Sequence, residues 1–243
     1  KGGVKMLLGE VTMTELEREL KKTKTLIIPF GTVEAHGSHL PLNTDTLIIR
    51  EVVKKAAAES IVFMSPPLQY GVCTSTGVHT GTIGISAGTL RAITLDMVRS
   101  AYVSGFRNVL LISGHGGGLH LSALREAGEE LVITLDGLNL AVLCVYDFIQ
   151  EEIKDIAETK NDSHAGEIET SLVLHLAANL VKGRAKEEYP ASTAPFITKD
   201  KLKRWPGAVW GNPAKADVDK GRRIFEVMVK KTVELIRRME QRS

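Results

Sequence analysis

Thr25-Leu26-Ile27-Ile28-Pro29-Phe30 runs directly into Gly31-Thr32-Val33-Glu34-Ala35-His36-Gly37-Ser38-His39-Leu40-Pro41-Leu42-Asn43-Thr44-Asp45. The first stretch is an apolar run of strand length, which predicts a buried strand. The loop that follows collects Glu34, His36 and Asp45. Carboxylates and imidazoles together are the ligand set of a borderline divalent metal such as Zn, Mn or Fe. In an extended stretch, residues two apart point the same way, so Glu34 and His36 converge. Asp45 returns after a turn marked by Gly37 and Pro41. A loop serving only as a connection has little reason to gather these groups beside a buried strand.

Strand-like and helix-like segments alternate outward from this point. Thr12-Met13-Thr14-Glu15 reads as a capping box opening a helix through about residue 22. After the acidic loop, 46–59 is helical by period, 61–64 is a short strand, 66–80 a loop and 82–86 another strand. A helix is expected over 89–104, stopped by Gly105. Asn108–Ser113 is a continuous apolar strand, 119–131 a helix, 138–146 a strand, and 147–156 and 166–179 helices. Residues 182–213 hold half of the prolines and both tryptophans without a clear period, and read as a loop-rich arm. An amphipathic helix over 217–240 closes the chain. This alternation predicts one domain over 1–243 with a mostly parallel sheet covered on both faces. Sites in such sheets lie at the carboxyl ends of the strands.

The 243 residues suffice for a sizeable core. A net charge of +2, with acids and bases interspersed, gives no argument for nucleic acid or an anionic membrane as partner. No apolar run approaches the roughly 18–20 residues needed to span a bilayer. The opening Lys1-Gly2-Gly3 carries no Met, and no secretory signal pattern is expected there. Cys73 and Cys144 form no pair motif and suit a reducing cytoplasm. Cys144 reads as a small core residue, whereas Cys73 sits in a loop that is open to exposure.

Two further clusters carry chemistry. Ser113-Gly114-His115-Gly116-Gly117-Gly118 follows a strand and opens a helix. Its glycines let backbone approach a ligand, and His115 at the strand end suits a metal ligand or catalytic group. Anion binding at the helix N-terminus is the rival, although neither G-x-G-x-x-G nor a P-loop is present; a structural histidine is the third option. Asp162-Ser163-His164-Ala165-Gly166-Glu167-Ile168-Glu169-Thr170-Ser171 opens another helix. Its two acids also suit the helix dipole without any chemistry, and His164 taken alone is a surface residue. His79 and the aromatic residues Tyr70, Trp205 and Trp210 are candidates for a pocket wall or for packing. His39 reads as a loop tie or a ligand contact, and His120 and His175 as packed or solvated helix residues.

Taken together, segments 31–45, 113–118 and 164–171 resemble the three signatures of the creatininase (creatinine amidohydrolase) family, over about residues 26–176. Trp210-Gly211-Asn212-Pro213 through Asp219-Lys220-Gly221 is similar to its closing motif. The resemblance implies a three-layer α/β/α sandwich and two divalent metal ions (Zn, Mn or Fe). It also implies hydrolysis of a non-peptide or cyclic C–N bond, an amide or formamide, in a small molecule, and assembly into homohexamers. Carried over, Glu34 and His115 hold the first metal, His36 the second, and Asp45 bridges them. Gly116-Gly117 stand where creatininase proper carries a Glu ligand, so the third segment must supply it: Glu169, with Glu167 as the fallback. His164 is placed to protonate the leaving nitrogen, with Glu167 as a second catalytic candidate, and His79, Gly116 and Gly117 as substrate contacts. Lys160-Asn161-Asp162-Ser163 replaces a stretch that carries a substrate-covering Trp, which speaks against creatinine itself. Gly118 stands in place of the usual Asn. Two rivals are a two-metal phosphoesterase and a non-enzymatic small-molecule or nucleotide binder using the glycine loop.

Overall fold

A computed structural model describes residues 6–192 and 194–242, so Lys1-Gly2-Gly3 lies outside it. Thr12 opens α1 (Met13–Glu19) through the expected capping box. The Thr12 amide donates to Glu15 Oε2 at 2.8 Å, and the Glu15 amide to Thr12 Oγ1 at 3.3 Å. β1 (Thr25–Phe30) follows, buried at every position. Then come α2 (Thr44–Glu59), β2 (Phe63–Met64), α3 (Ala87–Val103), β3 (Asn108–Ser113) and α4 (Gly118–Thr134). β4 (Asn139–Cys144), α5 (Gln150–Ile153), α6 (Glu167–Ala177), α7 (Lys201–Arg204) and α8 (Val218–Glu240) complete the order.

The strands lie in the order β2-β1-β3-β4, and every pairing is parallel. Successive side chains of a strand point to opposite faces, so a strand buried throughout needs cover on both. Ile27, Leu110 and Ile112 pack against α2, α6 and α8 through residues such as Ile48, Val52, Leu172 and Met228. Leu26, Ile28, Val109 and Leu111 face the other way, onto α3 and α4 through Leu90, Val98, Leu124 and Leu131. The result is the expected α/β/α sandwich. No helix among the described residues is long and apolar enough to cross a membrane.

Several expected elements differ. The 82–86 segment is not a strand: its amides reach loops, Ile83 to the Val33 carbonyl and Ile85 to that of Gly71. Ser86 is used as the N-cap of α3, its Oγ accepting from Thr89 at 3.0 Å. The helix expected over 147–156 shrinks to α5. Residue 61 stays outside β2, exposed to solvent, while Met6 and Leu8 pair with Met64 on the outer edge of β2. α2 starts at Thr44, so Asp45 stands in the first turn of a helix instead of the loop before it.

The carboxyl ends of β1 and β3 are adjacent, with Phe30 opposite Ser113. α2 is drawn tightly against this edge. A Cβ on Gly114 would stand 2.5 Å from the Asp45 carbonyl oxygen, whereas one on Gly118 meets nothing within 4 Å. Gly114→Ala is therefore expected to destabilise by about 1–3 kcal/mol through overpacking. Gly118→Ala is expected to leave the urea midpoint essentially unchanged.

Candidate metal centre

Asp45 is buried at the start of α2, where helix N–H groups favour negative charge. Its two oxygens face different partners. Oδ1 lies 3.0 Å from His36 Nε2, and Glu169 Oε2 is 3.7 Å from that same nitrogen. Oδ2 lies 3.0 Å from His115 Nδ1, which is 2.6 Å from Glu34 Oε1. One carboxylate thus stands between two donor groups, His36 with Glu169 and His115 with Glu34.

The chain fixes each of these side chains locally. The Glu34 amide donates to the Leu42 carbonyl at 2.9 Å and closes the loop after β1, and Gly37 turns it with φ of 65°. His115 lies two residues past the end of β3, and the Gly114 amide between them donates to the Phe30 carbonyl at 2.9 Å. Glu169 comes from the first turn of α6, where the Ala165 amide donates to its Oε2 at 2.6 Å. Thr32 Oγ1 is 2.5 Å from Asp45 Oδ2, and the Thr76 hydroxyl donates to Glu34 Oε2.

The other ring nitrogens face carbonyls: His36 Nδ1 that of Glu34 at 3.1 Å, His115 Nε2 that of Val72 at 3.2 Å. A carbonyl only accepts, so those nitrogens carry the protons. His36 Nε2 and His115 Nδ1 then point lone pairs at carboxylate oxygens, and a cation, proton or metal, must lie between. Burial disfavours a charged His36, yet Asp45 and Glu169 outweigh it and raise it to about 10. His115 is likewise raised against burial by Asp45 and Glu34, and Asp45 is held well below its ordinary value by His36 and His115. Burial pushes Glu169 up to about 7. The cluster is short of positive charge, and its buried N and O donors, each backed by a carbonyl, amide or hydroxyl, fit divalent ions.

Three donor groups lie within 4.8 Å: His36, Asp45 and Glu169; Glu34, His36 and His164; and Glu34, Cys73 and His115. Cys73, read from sequence as open to exposure, is buried; burial and then Glu34 push its thiol up. His164 is no ordinary surface residue either. Its Nε2 lies 2.9 Å from the Ala35 carbonyl and its ring 4.2 Å from that of His36. Burial and the charge of His36 lower it to about 4.

A cavity of about 310 Å³ opens over the cluster. Gly116, Gly117, Tyr146, His164, Trp205 and Trp210 line it together with Glu34, Asp45, His115 and Glu169. The arm reaches it because the His164 and Trp210 backbones pair, at 3.2 and 2.6 Å. Two sequence assignments point elsewhere. Glu167, expected to be catalytic or a fallback ligand, accepts the amides of Glu158 and Thr159 and pairs with Lys220 Nζ at 2.7 Å. It clamps α6 to α8 and does not face the cluster. His79, expected to contact substrate, lies behind the wall, its Nε2 2.6 Å from the Trp205 carbonyl and its Nδ1 3.2 Å from that of Thr76. Sequence reasoning missed Thr32, Thr76 and Tyr146. Tyr146 lies just past the end of β4, and its hydroxyl is buried with no hydrogen-bond partner among the described residues. The strand-end rule was the available signal for it.

The family model described as creatinine amidohydrolase, Creatininase, matches residues 9–236. The chain belongs to the creatininase family. It is a creatininase-family hydrolase. It is 31% identical to a mycofactocin precursor peptide peptidase of Mycobacterium ulcerans (strain Agy99), over 96% of this chain and 92% of that protein. It is 28% identical to a creatinine amidohydrolase of Pseudomonas putida, over 96% of each. A solved creatininase superposes with a TM-score of 0.86 at 25% identity, covering 96% of this chain and 97% of that one. Solved creatininases with Mn and of Zn-Zn type, each 26% identical, give 0.84 and 0.85, covering 96% and 97% of this chain and 98% of each of theirs.

The creatininase-like cluster makes a testable statement about the metal-free protein. His36 binds its proton more tightly folded, at about 10, than at the ordinary 6.5, and Glu169 does so at about 7 against 4.5. Their contribution is complete below the unfolded values and is lost as pH rises through the folded ones. With a strong chelator, the melting temperature is expected to fall progressively from about pH 4.5 to 10, first through Glu169 up to about 7 and then through His36 up to about 10. Added Zn or Mn should restore it, as scanning calorimetry across that range would record.

Proposed function

We propose that this protein is a two-metal amidohydrolase that cleaves a cyclic amide or formamide C–N bond in a small molecule. The observation that carries this is the position of Asp45, whose two oxygens face two separate donor groups. In this proposal Glu34 and His115 would hold one ion, His36 and Glu169 the other, and Asp45 would serve both with its two oxygens. Two divalent ions there supply Lewis acidity, which activates water and polarises a carbonyl. The chain's own residues do the rest. His164, anchored by the Ala35 carbonyl at the cavity wall, carries a proton between the attacking and leaving sides. The buried Tyr146 hydroxyl stands beside Glu169 on the cavity lining, where it can donate to Glu169 or to a substrate. Gly116 and Gly117 leave backbone exposed along the floor, and Trp205 and Trp210 close the sides.

The cavity lining favours an amide over a phosphate ester. Among the described residues it contains no Lys or Arg, while Asp147 and Asp162 join the metal-facing acids. A phosphoryl group would meet no cationic side chain there and would be held by the ions and the glycine-loop amides alone. The Mycobacterium ulcerans relative is named for a precursor peptide, so short peptides belong in any substrate screen. One domain over 1–243 with an arm at 182–213, a hexameric state and a cytoplasmic setting are part of the same proposal. They are supported by the family resemblance and by the two unpaired cysteines.

The test is metal content and turnover on a panel of cyclic amides, formamides, short peptides and phosphate esters. The wild-type protein should hold two ions per chain. Asp45→Ala should lose both ions and all turnover, and Glu169→Gln should lose one. His164→Ala should keep both and lose about 10²–10⁴-fold in kcat, the usual span of general acid–base catalysis. Glu167→Gln should keep metal and kcat while losing stability. Turnover that survives in Asp45→Ala, or that goes to phosphate esters alone, would contradict the proposal.

A further inference from the structure

His120 lies fully buried on α4, five positions after His115, and the family signatures do not include it. Its ring stands edge-on to His115, with centroids 5.0 Å apart and planes at 85°. On its far side it meets Phe30 at 6.4 Å. The Val72 amide lies 3.2 Å from its Nδ1, and Ser113 Oγ lies 3.3 Å from its Nε2. An amide can only donate, so His120 Nδ1 is the bare, accepting nitrogen and Nε2 carries the proton.

Ser113 closes the circuit. Its hydroxyl donates to the His115 carbonyl at 2.8 Å and accepts the His115 amide at 3.0 Å. That commits the single hydroxyl proton, so towards His120 the oxygen accepts, which agrees with a protonated Nε2. His115 in turn donates from its Nε2 to the Val72 carbonyl at 3.2 Å. The chain of bonds runs His115 to Val72, Val72 to His120, His120 to Ser113, and Ser113 back to the His115 backbone. Every donor has an acceptor, and each role follows from a group that has only one choice.

We propose that His120 is a positioning residue for the metal centre: through Val72 and Ser113 it locks His115 with Nδ1 facing Glu34 and Asp45. The proposal rests on the two-metal function argued above. It separates the two ions, because the ring touches only the His115 side; His36 is fixed by its own Glu34 carbonyl. Removing the group that accepts directly from a metal-bound imidazole, here the Val72 carbonyl, weakens binding by about 10–100-fold; His120, which holds Val72 in place, takes the lower end of that range. Here that loss falls on one ion of the pair.

The experiment measures stepwise Zn dissociation constants by competition with a chromophoric chelator, in wild type, His120→Phe, His120→Asn and Ser113→Ala. His120→Phe keeps the edge-on packing and loses both hydrogen bonds. One of the two Zn dissociation constants should rise about 10-fold, the lower end of the direct-partner range, with the other within about threefold. His120→Asn returns an acceptor near the Nδ1 position and should recover part of the loss; Ser113→Ala should weaken the same ion. A purely structural role would weaken both ions together with the melting temperature and would gain nothing from Asn. Long-range ¹H–¹⁵N spectra of metal-loaded wild type provide an arm that no variant can spoil by misfolding. They should show His120 and His115 both as Nε2–H tautomers. A His120 Nδ1–H tautomer, or two unchanged dissociation constants in a folded His120→Phe, would overturn the proposal. Wild type that binds fewer than two ions would instead remove the two-metal function, and this inference with it.

Discussion

Three carboxylates buried in one place cannot stay charged without cations between them. At about 4 Å and an effective dielectric near 20, each pair repels by roughly 4 kcal/mol. Glu34, Asp45 and Glu169 are nearly inaccessible to water, so solvent does little to relieve this. In the metal-free protein the histidines supply the positive charge: His36 and His115 take up protons that water alone would not give them at neutral pH. The same lone pairs and oxygens suit a pair of divalent ions. Local features around the cluster follow from that need, from the Thr32 and Thr76 hydroxyls to the Ala165 amide on Glu169.

The fold makes such crowding affordable by bringing the donors from separate, rigid places. Glu34 and His36 come from the loop after β1, Asp45 from the first turn of α2, His115 from the end of β3 and Glu169 from the first turn of α6. Each origin is a strand end or helix start beside a sheet covered on both faces, so the donors are set by the core and not by the loops alone. Gly114 lets α2 approach closely enough for Asp45 to face two ways. The arm contributes Trp205 and Trp210, which enclose the space where a substrate amide would meet the centre.

Much of this was legible in the sequence. β1 and β3 were readable residue for residue because a strand buried on both faces has an unbroken apolar run. The sandwich followed from their alternation with helices. Glu34, His36, Asp45 and His115 stood out as carboxylates and imidazoles gathered just after apolar strands, whereas Glu169 came from the resemblance to the creatininase signatures. What stayed hidden depended on direction. Glu167 and Glu169 are two positions apart on one helix, and only the fold shows one facing Lys220 and the other facing His36. The 82–86 segment has strand-like residues, but its amides are satisfied by loops. His79 and His120 were both ambiguous. Each has one partner far along the chain, Trp205 at 126 positions and Val72 at 48, beyond the reach of any local pattern.

The central claim is that Asp45 bridges two ions. Anomalous diffraction from crystals grown with Zn tests it most directly. Two peaks about 3.5–4 Å apart are expected, one beside each oxygen of Asp45, with His36 and Glu169 on one and His115 and Glu34 on the other. A single fully occupied peak, or two peaks that do not share Asp45, would contradict it.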